Sequence, residues 1–314
     1  MRKALFSELR PGEQILFTIL VFIISGLFFY GLALMTAALT YHLSLSEVFG
    51  AMSAQDEADA GILKLVQIIS GAGNYVFTAF FVSLLFTGSW TAWFKGEHRP
   101  EANGMLLAVL MIVSAIPFVN HITEINMNMR LPFESLQHSM EKMEADAESI
   151  TWILTKADNI GGLMINILMI AIIPGLGEEL VFRGLIQKMF TGLFRNGHVA
   201  IIVTAIIFSA LHLQFLSFFS RFFLGVLLGY LFYYGKSIWY PVLAHTFNNL
   251  LGVFFYYQAH KEGSPKDWGD IGTEKMFPWA AVISLFTFLL LFYLWYKNVR
   301  EINQAPRYGK IQKD

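Results

Sequence analysis

The chain has 314 residues, of which 55% are hydrophobic and 14% charged, with a formal net charge of −1 and a mean hydropathy of +0.53. Ordinary soluble domains carry about 25% charged residues, so this composition belongs to a chain whose solvent is lipid, and with no basic stripe it points to no nucleic-acid partner. Cysteine is absent, which excludes disulfides, thiolate nucleophiles and cysteine-ligated metals.

A helix needs roughly 20 apolar residues to cross the hydrocarbon core, and a hydropathy reading on that scale gives about eight spans. They are Ile15–Leu39, Leu65–Phe86, Gly104–Ile122, Ile160–Phe190, Val199–Leu213, Phe215–Tyr234, Ile238–Tyr257 and Phe277–Tyr296. The first is too long for a signal-peptide core and no small-residue cleavage site stands out, so it reads as a retained anchor. The fourth is long enough to protrude, and the fifth is short. The expected fold is all-α: a polytopic membrane helix bundle of about eight transmembrane helices, one domain over residues 1–314, with the lipid bilayer as its first partner.

Lysine and arginine in the short loops set the orientation. Arg2, Lys3 and Arg10 precede the first span, while the loop from Thr40 to Gly61 has neither residue type and is acidic. Lys95 and Arg99 follow the second span, Lys188 and Arg195 the fourth, Lys236 the sixth, and Lys297, Arg300, Arg307, Lys310 and Lys313 the eighth. Every even-numbered exit is basic, which predicts both termini in the cytoplasm.

The one long loop, residues 123–159, is then extracytoplasmic. Phe133, Leu136, Met140, Met143, Ala147, Ile150 and Leu154 recur there at steps of three and four, with the acids of "EKMEADAE" on the other face. This is the pattern of an amphipathic helix lying outside the membrane, either a cap on the outer ends of the spans or a gate for a substrate.

Three polar clusters interrupt the spans. In "GEELVFR", Glu179 and Arg183 are four residues apart and share a helix face, whereas Glu178 points about 100° away. Pro174, Gly175 and Gly177 just upstream weaken that helix and let a neighbour approach closely. "FSALH" places Phe208 and His212 four apart, and "HTFNN" does the same for His245 and Asn249, with Asn248 beside them. Each cluster also has a structural reading: a neutralised ion pair, a histidine bonded to a neighbouring helix, an asparagine joining two helices. Depth favours convergence. At the helical rise, Glu178 lies roughly 15 Å from Lys188 and His245 roughly 13 Å from Lys236, with His212 deeper, at roughly 21 Å from His198.

Other membrane-protease chemistries fit less well. No His-Glu-x-x-His pair occurs on one helix, and no intramembrane aspartate pair exists, since Asp270 falls in a polar loop. Ser237 in "GKSIW" starts the helix that carries His245 and does not face it across the bundle. A proton- or ion-coupled transporter is the alternative class, because intramembrane Glu, His and Arg also build ion paths. The paired broken helices and inverted repeats of many transporters are not visible.

With these residues in hand, the chain resembles the CAAX protease and bacteriocin-processing (Abi) family of intramembrane proteases, which includes the type II CAAX prenyl endopeptidases. The family's motifs, Glu-Glu-x-x-x-Arg, Phe-x-x-x-His and His-x-x-x-Asn, stand complete and in order at Glu178 to Arg183, Phe208 to His212 and His245 to Asn249. The resemblance covers about Ile160 to Tyr257, the expected catalytic core. It implies a catalytic set of Glu178, Glu179, Arg183, His212, His245 and Asn249, acting on a peptide or membrane-protein substrate. In it Glu178 is the general base that activates water, a task suited to a carboxyl among apolar groups, and Glu179 with Arg183 is a supporting pair. His212 and His245 orient the water or, with Glu178, bind a zinc ion that keeps a water in its fourth position; a metal-free site uses the same residues. Asn249 donates to the tetrahedral oxyanion. The resemblance further implies a bacterial inner-membrane enzyme of peptide maturation, immunity or protein turnover. Hydrolysis in a membrane needs water, so the helices are expected to enclose a wet cavity opening toward the basic, cytoplasmic side.

Overall fold

The computed structural model describes residues 4–54, 59–94, 100–262 and 267–304. Arg2, Lys3, Lys95, Arg99, Arg307, Lys310 and Lys313, part of the basic-exit pattern, lie outside the described residues. Among the described residues no strand forms beyond an isolated bridge between Ile271 and Met276, and each expected span is found as a helix.

Helix α1 (Pro11–Tyr41) opens with proline in its first turn, where the missing N–H costs nothing, and with Glu13 reaching back to the Arg10 backbone N–H at 2.8 Å. It is followed by α2 (Leu45–Ala54) and by α3 (Ala60–Thr87), which closes at Gly88 in the left-handed conformation. A five-residue α4 (Trp90–Phe94) precedes α5 (Ala102–Asn128). The long loop carries α6 (Glu134–Thr155). Residues 160–194 form one 35-residue rod, made of α7 (Ile160–Asn166), α8 (Ile173–Val181) and α9 (Lys188–Phe194) joined by two π-helical segments, Ile167–Ile172 and Phe182–Gln187. Then come α10 (Gly197–Ala210), α11 (Phe218–Gly235), α12 (Trp239–Glu262) and α13 (Trp279–Gln304).

Six of these rods are long and apolar enough to cross a membrane, and α10 is a shorter apolar helix. Helix α12 is 24 residues long but is diluted by His245, Asn248 and Asn249; with α10 it completes the eight expected spans. At 1.5 Å per residue α10 covers about 21 Å, less than the ~30 Å hydrocarbon core. The turn that follows it, with the exposed His212, therefore falls short of a full crossing. Leu16, Leu20, Ile23 and Leu27 on α1, and Ile283, Phe286, Leu290 and Tyr293 on α13, are exposed, as lipid-facing rows must be. Inside, Met111, Leu228, Leu231, Ala244 and Trp295 join α5, α11, α12 and α13 in the largest apolar cluster.

Helix α6 has the expected amphipathic seat over most of its length: Met140, Met143, Ala147, Ile150 and Leu154 are half-buried and Ile153 is buried. Its start departs from the pattern. Phe133 and Leu136 remain exposed, beside an exposed pair between Arg130 and Glu141 at 2.7 Å.

Small residues decide where helices meet. A Cβ on Gly175 would overlap Thr246 Oγ1 and lie 2.8 Å from the Thr246 backbone, so α8 and α12 touch main chain to main chain. Gly225 and Gly229, four apart on α11, admit α10, since a Cβ on them would press on Ala205 and Ile201; their carbonyls meet the rod, where the Arg183 guanidinium donates to Gly225 at 3.0 Å and the Gln187 amide to Gly229 at 3.1 Å. This is close packing by small residues with polar side chains joining the helices, as membrane bundles require.

Gly175→Ala should raise helix propensity by about 0.8–1 kcal/mol yet lower the melting temperature in detergent, since overpacking costs about 1–3 kcal/mol and the backbone of Thr246 cannot yield. Gly31→Ala, where a Cβ meets nothing within 4 Å, is the control and should leave the melt unchanged or raise it. Equal melts for the two variants would contradict the backbone contact.

Candidate active site

Glu178 and Glu179 leave α8 on different faces, as their helical spacing requires. Glu179 is fully buried and its Oε1 accepts the Arg183 guanidinium at 2.9 Å, with Arg183 fully buried too. The same Oε1 accepts the His245 Nδ1–H from α12 at 2.8 Å. That bond places the proton on Nδ1 and leaves Nε2 with its lone pair, 4.0 Å from Glu178 Oε2. The Glu178 side chain retains 13% exposure against 0% for Glu179, so one carboxylate is wholly internal and the other lies at the edge of the cluster. Glu178 Oε2, Glu179 Oε2 and Arg183 Nε are buried with no hydrogen-bond partner.

Phe208 explains its own motif. Its ring is buried and touches every other part of the cluster: Arg183 lies over it at 4.8 Å, His212 is 4.9 Å away between ring centroids, and His245 meets it edge-on at 5.8 Å. His212 Nδ1 donates to the Phe208 carbonyl at 2.8 Å, which frees its Nε2. The turn that bears His212 is fastened from outside the bundle. Glu144 of α6 accepts the Gln214 amide at 3.1 Å and the Ser217 hydroxyl at 2.6 Å, while Arg221 donates to Gln214 Oε1 and Ser217 Oγ, both at 2.6 Å.

Asn249 is engaged as well. Pro174 crowds the carbonyl four residues before it, that of Ile170, and has no N–H to offer it. The Asn249 amide donates to that carbonyl at 3.2 Å and accepts from Asn248 at 3.2 Å. One amide hydrogen is spent on the backbone, leaving Asn249 a single N–H for any oxyanion.

The structure thus joins Glu178, Glu179, Arg183 and His245 directly, brings His212 to the cluster through the Phe208 ring, and ties Asn249 to the rod beside it. The expected metal set fares differently. Among the described residues no three His, Asp or Glu side chains come together as a metal ion would need. His212 stays apart because its short helix ends on the far side of Phe208, so Glu178, His212 and His245 do not fit zinc here. Ser237 is buried, with an unpartnered hydroxyl, two turns of helix from His245. The supporting residues Glu144, Gln214, Ser217 and Arg221 carry no motif that the sequence analysis could have used.

A cavity of about 330 Å³ lies between α5, α11 and α12, with Asn248, Arg221, Leu251 and Gly252 in its wall. It shares Ile116, Asn120 and Phe255 with a second cavity of about 630 Å³ beneath α6, where Glu148 and Trp152 form part of the lining. Both lie at the α6 end of the bundle, opposite Lys188, Lys236 and Lys297. Neither is lined by Glu178, His212, His245 or Asn249. At the basic end Lys188 Nζ donates to the Trp93 carbonyl at 2.7 Å and Trp93 Nε1 to the Gly184 carbonyl at 2.8 Å, so α4 covers the rod.

Removing one member of the buried pair leaves the other charge uncompensated, a loss of about 3–5 kcal/mol for such pairs. Arg183→Ala should therefore melt well below the native protein in detergent, and Arg183→Lys should recover only part of the difference because it cannot reach both Glu179 and Gly225. The double variant Arg183→Met with Glu179→Gln should melt near the native protein. A normal melt for Arg183→Ala would mean that the pair is not structural.

Residues 160–251 match the family model described as Rce1-like, type II CAAX prenyl endopeptidase. No curated protein and no solved structure matches the chain. The matched segment runs from the first residue of α7 to Leu251 on α12 and contains Glu178, Glu179, Arg183, His212, His245 and Asn249. Over that segment the chain is similar to the Rce1-like family of type II CAAX prenyl endopeptidases.

Proposed function

We propose that the protein is an intramembrane endopeptidase in which Glu178 activates water. One observation carries the reading: His245 is held by the buried Glu179 so that its Nε2 stands 4.0 Å from Glu178 Oε2. A water lying between those two atoms gives one proton to Glu178 and points the other at His245 Nε2. Its oxygen attacks the peptide carbonyl, the C–O bond forms, and Glu178 returns its proton to the departing amine as the C–N bond breaks. The remaining N–H of Asn249 and a donor of Asn248 face the developing oxyanion, and the free Nε2 of His212 steadies the water or the substrate. Arg183 neutralises Glu179 and keeps it a hydrogen-bond acceptor for His245. The transporter reading has no observation that favours it over the family match.

The setting we propose is a bacterial inner membrane with both termini in the cytoplasm, supported by the described basic residues Arg10, Lys188, Arg195, Lys236, Lys297 and Arg300 at one end of the bundle. The site is then reached from the outer, α6 side, and its substrates are membrane-associated peptides or membrane proteins.

Purified protein should cleave members of a membrane-peptide library, and Glu178→Gln should lower turnover by about 10²–10⁴, the usual worth of a general base, with an unchanged melt. Substantial turnover by Glu178→Gln alongside a dead Glu179→Gln would reverse the two roles, and no cleavage by the native protein would refute the protease reading.

The side of access can be read separately, because the chain has no native cysteine. A single cysteine at Asn248 and one at Lys236 should react with a charged thiol reagent from opposite faces of sealed vesicles. Reaction of both from the same face would place the opening at the basic end.

A further inference from the structure

We propose that the 330 Å³ cavity beside Asn248 receives a bulky apolar side chain of the substrate, within about two residues of the scissile bond, and that Gly252 sets the size it accepts. The inference rests on the protease reading above and adds what that reading lacks, a determinant of sequence preference.

The cavity is walled by Ile112, Ala115, Phe223, Leu227 and Leu251, and its polar groups include Asn248 and Arg221. Asn248 stands next to Asn249 and one turn from His245, so the cavity mouth is about 4.5–6 Å along the helix from the reacting atoms. An extended peptide advances about 3.3 Å per residue with side chains on alternate faces, which puts a flanking side chain at that mouth. The chamber is a half-open cleft between α5, α11 and α12, away from the lipid-facing rows of α1 and α13. That position favours a peptide side chain over a lipid tail.

Gly252 distinguishes this chamber from an accidental void. A Cβ on Gly175, Gly177, Gly225 or Gly229 would press against a neighbouring helix, whereas a Cβ on Gly252 meets nothing within 4 Å. Its φ is not among the positive values, so neither a turn nor a close helix crossing requires glycine. A mid-helix glycine without such a need weakens the helix; what it supplies here is open volume, one turn beyond Asn248 on the same face.

The test uses full-length protein in detergent and peptides that differ only in one residue near the cleaved bond, carrying Ala, Leu or Phe. Native protein should prefer Leu or Phe to Ala by about tenfold or more in kcat/KM, the scale of a filled apolar pocket. Gly252→Leu should melt at or above the native temperature, lose at least about tenfold on the Phe peptide, and leave the Ala peptide unchanged. Gly252→Ala should fall between the two, and it keeps the test decisive if the leucine variant does not fold. Equal losses on all three peptides, or an unaltered preference in both variants, would overturn the size-gate inference while the protease reading stands. Cleavage of no peptide by the native protein would overturn both. If added acyl lipid shifts the native melt, the Gly252→Leu melt does not move, and peptide preference is the same in each, the chamber holds lipid and the inference fails.

Discussion

Glu179 Oε1 takes two hydrogen bonds at once, from Arg183 at 2.9 Å and from His245 at 2.8 Å, in a place where a lone charge could not persist. An uncompensated charge in hydrocarbon costs several kcal/mol, and the pair repays its own desolvation only when its remaining donors are met. That requirement reaches outward. Arg183 needs the Gly225 carbonyl on α11, and Gly225 in turn lets α11 pack closely on Ala205 of α10. His245 needs α12 pressed against α8, which Gly175 permits through its contact with Thr246. Three helices are thus brought together by one carboxylate and two small residues.

The rod that carries this carboxylate is not a regular α-helix. π-helical segments occupy both sides of α8, and such segments frequently accompany functional sites. Each frees or exposes backbone that a side chain from another helix must satisfy. Asn249 does so for the Ile170 carbonyl beneath Pro174, and Trp93 does so for Gly184. Residues that look like parts of a reaction centre are therefore also parts of a bilayer-specific repair of the main chain. Asn249 serves both ends, which is why its capacity as an oxyanion donor is one N–H and not two.

Helix α6 joins the site through a chain of polar contacts that starts at Glu144 and ends at the turn after α10. It also roofs the cavity that leads toward Asn248. A helix outside the family-matched segment thus holds one histidine of the proposed machinery in place and shapes the approach to it. The candidate catalytic residues lie in the matched core, while part of their support comes from the surrounding chain.

Hydropathy determined the helices, because lipid imposes one length and one polarity on every span, and the 3.6-residue repeat determined that Glu179 and Arg183 share a face that Glu178 does not. The amphipathic period of α6 was equally visible, since it concerns residues three and four apart. Other features required partners far away in the chain. That Arg183 reaches Gly225, that Asn249 answers the carbonyl freed by Pro174, and that Glu144 fastens the His212 turn depend on which helices lie side by side, and a local pattern carries no such information. Where cavities form was likewise decided in three dimensions. Loop charge records which end of the bundle is basic, whereas space follows from packing: Trp93 and Lys188 fasten α4 over the rod at the basic end, and the cavity beside Asn248 lies toward α6.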